Sequence, residues 1–212
     1  GYVYMQAGDP IWVDVNGDYI IDDKDKVVVG NSQPRLTGGF NANLRYKSFS
    51  INTNFSFTIK RDIINKALAD RFAAYGNPLS KDLNGSGAIT PIEAFDFWKE
   101  DHIYAKYPNP FDYIRGGTAD HQVNFFRPDQ TLFMEDGSFL KINGVSISYV
   151  LPKKVLDFLR VERVQLNASV KNIYTFSKYS GVNPENVNSL GYDVSGGYPN
   201  SRNYTMGVSI DF

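Results

Sequence analysis

The chain has no cysteine among its 212 residues, only two histidines, and no apolar run of membrane-helix length. Each absence removes a class of chemistry. Without thiols there are no disulfides, no thiolate metal ligands and no cysteine nucleophile. His102 and His121 stand outside any HExxH spacing, and neither a GxSxG elbow nor a phosphate-cradling glycine loop occurs. Glu100, Asp101 and Asp120 neighbour the histidines, but a polar surface loop explains them better than an acid–base pair. No catalytic residue is assigned, and the chain is expected not to be an enzyme. A net charge of −1 without a basic stripe gives no case for nucleic acid. The missing run of ~20 apolar residues excludes a spanning helix, not a spanning barrel, whose polar lumen residues dilute its lipid-facing ones. A mean hydropathy of −0.34 suits either a soluble protein or such a barrel. The chain opens on Gly1 with no leader pattern, so it reads as a mature or internal fragment.

What is present is alternation. From Leu36, every second residue is apolar or small: Leu36, Gly38, Phe40, Ala42, Leu44, Tyr46. Between them fall Thr37, Gly39, Asn41, Asn43, Arg45 and Lys47. After Lys47-Ser48 the alternation resumes as Phe49, Ile51, Thr53, Phe55, Phe57 and Ile59 against Ser50, Asn52, Asn54, Ser56 and Thr58. Period two with one oily side is a strand, and two such runs across a very short turn are a β-hairpin. Each run is about twice an ordinary strand and close to the 9–11 residues of a tilted bilayer-crossing strand. Later runs repeat the pattern near 138–151, 163–176 and 203–212. In the first of these the phase breaks at Asn143-Gly144, which predicts a bulge. Pro152–Arg160 reads as a compact turn, a single helical turn or two.

Two segments interrupt the strands. In DVNGDYIIDDKD, oxygen side chains fall at Asp14, Asn16, Asp18, Asp22 and Asp25, with Ile20 where a backbone carbonyl serves. These are positions one, three, five, nine, twelve and seven of a calcium loop, the convergence of oxygens that a hard cation needs. Tyr19 stands where the sharp turn prefers glycine. An Asp/Asn-rich turn without an ion is the other reading. The second segment, about Lys60 to Asp136, begins with a helical pattern over Asp62–Ala74 and continues rich in Pro, Gly and Asn. Its aromatics, among them Trp98, Tyr104, Tyr107, Phe111 and Tyr113, either stack on a cargo or lid protein or pack the loop against itself.

Connections alternate short and long, the habit of outer-membrane barrels with tight periplasmic turns and large outer loops. The last strand carries an apolar residue at every second place and ends on Phe212, like the terminal assembly signal of bacterial barrels. The Asp14–Asp25 loop and the 60–136 insertion are then expected outside the cell. Five strands cannot close a barrel, since about eight is the smallest that fills. The first strand is expected to pair with an upstream strand, and the last with the barrel's first. Asn41, Asn43, Arg45, Arg163, Gln165 and Lys171 are expected to face a lumen. Leu36, Phe40, Leu44, Val164, Leu166, Met206 and Ile210 are expected to face lipid. The alternative is a soluble, calcium-stabilised β-sandwich that binds glycans at a cell surface.

The order DVNGDYIIDDKD, VVVGNSQPRLTGGFNANLRYKSFSI, FMEDGSFLKINGVSISYVLPKK, VQLNASVKNIYTFSKYSGVNPE, YPNSRNYTMGVSIDF resembles the C-terminal part of SusC/RagA-type TonB-dependent outer-membrane transporters of Bacteroidetes. The resemblance implies an all-β chain: the last antiparallel strands of a transmembrane β-barrel of about 22 strands, with long extracellular loops and one short loop helix. It implies import of oligosaccharides or peptides, driven by TonB through an N-terminal region and plug outside this chain. The implied partners are a SusD-like surface lipoprotein, the remaining barrel strands and outer-membrane lipid. Tyr19 departs from the glycine usual in the family's acidic loop, where Ca2+ would sit.

Overall fold

The computed structural model describes residues 6–75, 92–110, 126–194 and 200–212. In chain order the main elements are β1 (Leu36–Tyr46), β2 (Phe49–Ile59), β3 (Asp62–Ile64), α1 (Lys66–Tyr75), β4 (Met134–Asp136), β5 (Phe139–Val150), α2 (Lys153–Leu159), β6 (Arg163–Ser177) and β7 (Asn203–Asp211). The chain divides into two compact units.

One unit, Asn31–Ile63, Asp136–Gly191 and Ser195–Phe212, holds a single antiparallel five-stranded sheet in the order β1-β2-β5-β6-β7. The alternation in sequence becomes two chemically distinct faces because cross-strand partners share a side. The rungs Tyr46–Phe49–Tyr149–Leu166–Val208 and Leu44–Ile51–Ile147–Ala168–Met206 lie on the apolar face. The rungs Arg45–Ser50–Ser148–Asn167–Gly207 and Asn43–Asn52–Ser146–Ser169–Thr205 lie on the other. The expected bulge is present: Asn143 has no partner between Asn54–Gly144 and Phe55–Ile142. A second bulge, at Asn172 and Ile173 of β6, lies opposite the same residue, with Asn172 in the left-handed region at φ 56°. The hairpin turn is Lys47-Ser48, closed by the Tyr46–Phe49 pair. α2 fills the short connection that was expected to be helical.

The other unit, Gly1–Gly30, Ile64–Glu135 and Tyr192–Val194, is built around α1. The expected helix over Asp62–Ala74 starts later than the pattern suggests. Asp62–Ile64 is a short strand, and the helix begins where Asn65 Oδ1 accepts the Leu68 backbone N–H at 3.1 Å. That side-chain cap ends the extended segment and sets the first turn. Leu68, Ala69 and Phe72 then pack with Phe97, Tyr107, Phe126 and Phe133 as one aromatic core. Phe72 is its centre, with ring centroids 4.8 Å from each of Phe95, Phe97 and Tyr107 and 5.5 Å from Phe126.

Candidate functional site

The polar face of the sheet is the first candidate. Asn41, Asn43, Arg45, Arg163, Gln165 and Lys171 all stand on it, as the alternation requires. Near the α2 end a ladder of side chains runs along β6: Arg163 donates to Gln165 Oε1 at 2.7 Å, and Gln165 Nε2 donates to Asn167 Oδ1 at 2.8 Å. Between the charged ends lies a groove of about 340 Å³ lined by Ser50, Asn52, Ser146, Ser148, Asn167, Ser169 and Thr205. Its lining is uncharged, and Asn52 Oδ1 is shielded yet accepts no hydrogen bond. Such a surface offers short hydroxyls and amides to a neutral, hydrogen-bonding ligand or to water.

The opposite face is apolar and uncovered. Phe40, Leu44, Leu166, Met206 and Ile210 are all exposed, Met206 at 87%. Val164 departs from the expectation for it, being only 5% exposed. It sits at the end of β6 beside the α2 connection, whose Leu151 N–H donates to its carbonyl at 3.0 Å. Aromatic rings stand on this face towards both ends, with Phe40, Phe55, Tyr174 and Tyr204 between the outermost levels. Tyr46, Phe49 and Tyr149 mark one, with Phe49 and Tyr149 4.4 Å apart. Phe57 and Phe176 mark the other. The eight residue steps from Phe49 to Phe57 span about 27 Å along a strand, or about 21 Å across a layer at a tilt of about 40°. A continuous exposed apolar surface of this kind marks contact with an apolar partner rather than with water.

The acidic loop is ordered by its own side chains. Asp14 accepts from the Gly17 and Tyr19 backbone N–H groups at 2.7 and 2.8 Å, and Asn16 accepts from Asp18 N–H at 2.9 Å. Asp18 accepts from Ile20 N–H and Asp22 from Lys24 N–H. Asp25 accepts from Val15 and Asp22, and these backbone bonds, Asp22's foremost, hold its carboxyl below the ordinary carboxylate range. Tyr19 adopts φ 63°, the left-handed turn that the sixth loop position requires. The oxygen-rich donor set and the turn suit a hard cation. As the side chains stand, no three carboxylates or histidines among the described residues are gathered tightly enough to hold a metal, and Lys24 Nζ lies 3.5 Å from Asp22.

The aromatic loop residues separate by role. Tyr107 is a core residue, 6% exposed and packed on Phe72. Trp98 lies flat on Gly8, whose absent side chain leaves room for the indole, and lines a cleft of about 1180 Å³ with Trp12, Ile103, Leu132 and Asp22. Tyr104 projects outward at 90% exposure. Tyr113, with Phe111, Asp120 and His121, lies outside the described residues. His102 caps a tight turn: its Nε2 lies 2.7 Å from Asp96 Oδ1, and its backbone exchanges hydrogen bonds with Lys99. Asp96 also accepts from the Lys106 backbone N–H, which is the main reason its carboxyl is held below the ordinary range, with His102 second. Sequence reasoning missed Lys141, one of the most shielded charged groups of the sheet, because the bulge at Asn143 hides which face it occupies.

No protein-family model matches the chain. It is 26% identical over 216 residues to TonB-dependent receptor P3 of Formosa agariphila, covering 97% of this chain and 19% of the relative. It is also 26% identical over 222 residues to TonB-dependent receptor SusC of Bacteroides thetaiotaomicron, covering 100% of this chain and 19% of that protein. The chain thus spans about a fifth of the length of the curated relatives it matches. Among solved structures it superposes on the RagAB peptide importer in its open-open state with a TM-score of 0.65, at 21% identity, over 99% of this chain and 21% of that one. A second RagAB structure gives a TM-score of 0.60 at 23% identity. The resemblance read from the residues is therefore met by relatives of the same kind, and the all-β wall-segment fold by structures of the same kind.

Proposed function

We propose that this chain forms five strands of the wall of a SusC/RagA-type TonB-dependent outer-membrane importer, its apolar face against lipid and its polar face lining the lumen. One observation carries the reading. A single apolar face runs across all five strands, rich in aromatics and left exposed among the described residues except at Val164. A sandwich would bury that face beneath a second sheet. The relatives are receptors and the structural neighbours importers, which supports reading the polar face as a transport surface rather than a stiffener. In the whole protein, oligosaccharides or peptides are the cargo, a SusD-like lipoprotein is the lid, TonB supplies the energy, and Trp98 and Tyr104 contact cargo or lid. Deleting the full receptor should abolish uptake of at least one member of a panel of fluorescent neutral oligosaccharides and short peptides, and the intact gene should restore it. Unchanged uptake across the panel, with the protein recovered in the soluble fraction, would contradict the proposal.

Calcium at the Asp14–Asp25 loop belongs to the same proposal. Its support is the ligand spacing and the left-handed turn at Tyr19. Asp14, Asn16, Asp18 and Asp22 would supply side-chain oxygens, Ile20 its carbonyl and Asp25 the twelfth-position carboxylate, after Asp22 releases Lys24. The ion would replace backbone N–H groups as the loop's organiser. Adding calcium to chelator-treated protein should slow proteolysis within residues 14–25, and Asp14→Ala should remove that protection. Identical cleavage with and without calcium would remove the ion from the account.

A further inference from the structure

We infer that residues 178–191, which follow β6, fold onto the polar face of the sheet as a preformed constriction, latched to the wall by Lys141 and Glu185. The inference rests on the reading of that face as a lumen. Lys141 lies between Ser56 and Thr175 on the polar side, and its Nζ donates to Glu185 Oε2. Burial tells which way the segment turns. At this end of the sheet the polar-face residues Thr58 and Lys141 are 5% and 8% exposed. On the apolar side at the same end, Ile59 and Phe176 remain 44% and 52% exposed. Only the polar side is covered there.

Further bonds fix the segment at its flanks. Arg61 donates to the carbonyl of Ser32 at 3.2 Å and to that of Pro184 at 3.4 Å, and the Ser32 hydroxyl donates to the Ser189 carbonyl at 3.2 Å. The segment is also internally built. Glu185 N–H donates to Asn183 Oδ1 at 2.9 Å and Gly191 N–H to the Asn188 carbonyl at 3.0 Å. The buried Tyr179 ring rests on Gly181, where any Cβ would stand 2.4 Å from ring atoms. A segment with this many internal bonds keeps its shape when cargo passes. Because Glu185 cancels the Lys141 charge and the groove beyond is uncharged, the constriction sorts cargo by cross-section rather than by sign.

The chain has no native cysteine, so one can be placed beneath the segment. Thr175→Cys in the full-length receptor, cleared of any other cysteine, is labelled on intact cells with a small membrane-impermeant maleimide and with a bulky polymer maleimide. With the latch intact, the bulky reagent should react far more slowly than the small one. Glu185→Gln removes a charge-assisted hydrogen bond, and the bulky reagent should then gain about tenfold in rate. The exchange Lys141→Glu with Glu185→Lys should restore the slow rate, which a variant that simply misfolds would not do. Equal bulky-reagent rates with and without the latch overturn the constriction. Met206→Cys serves as the separate control on the wall. If it reacts as readily as Thr175→Cys with the small reagent, the lumen reading has failed, and the inference falls with it.

Discussion

Lys47 holds φ 52° in a two-residue hairpin turn, a conformation in which a Cβ sits too close to the next carbonyl. Lys47→Gly should stabilise the folded sheet in lipid or detergent by up to about 1 kcal/mol, read as a higher urea midpoint. A lower midpoint would mean that the lysine side chain itself contributes at the turn. Asp96 yields a pH dependence. Its carboxyl is held below the ordinary range chiefly by the Lys106 N–H and then by His102, so its contribution to the 96–107 turn is present above the ordinary carboxylate range. It is lost as pH falls through the depressed value. Amide exchange at Lys106 should accelerate in acid, and Asp96→Asn should flatten that response. Tyr19 was legible from the sequence as a strained position, because the calcium-loop spacing specifies which residue must turn left-handed. Lys47 was not, because nothing in the composition of a Lys-Ser turn declares its handedness.

At the scale of elements, the long strands were legible and the short ones were not. Eleven residues of alternation define β1 and β2, whereas three residues are too few to show a period, so β3 was absorbed into the following helix until the Asn65 cap separated them. The two bulges make the same point. In β5 the step from Ile142 to Val145 is odd, so the apolar phase visibly flips. In β6 the step from Val170 to Tyr174 is even, so an equally real bulge leaves the pattern untouched. Deleting Asn143 should therefore restore unbroken alternation and leave Leu140 and Ile142 on the apolar face, because Gly144 and Ile142 already oppose the consecutive residues Asn54 and Phe55. The full receptor should then still reach the heat-modifiable folded form on gels, and failed assembly of the deletion would contradict the register. In the loop unit, Phe72→Ala empties the centre of the aromatic core and should cost about 3–5 kcal/mol. It should expose the loop to protease while leaving the sheet's resistance unchanged.

Taken as a whole, the sheet has two faces that call for different solvents and two open edges, β1 and β7, with no further strand beside them among the described residues. An oily sheet with open edges does not stand alone. That is why the chain reads as part of a wall, in keeping with relatives about five times its length. The alternation came directly from the sequence. The turning of residues 178–191 toward the polar side did not, because a loop's direction depends on contacts such as Lys141–Glu185 that join residues 44 positions apart. The most direct test is the contact between the apolar face and lipid. Single cysteines carrying spin labels at Ala42, Asn43, Leu44, Arg45 and Tyr46, and at Ser169 and Met206, are placed in the full receptor in liposomes. Oxygen, which concentrates in lipid, and a water-soluble nickel chelate then report each site's surroundings. The account predicts oxygen-dominated relaxation at Ala42, Leu44, Tyr46 and Met206 and nickel access at Asn43, Arg45 and Ser169. Nickel access without that alternation would show that the apolar face does not meet the membrane.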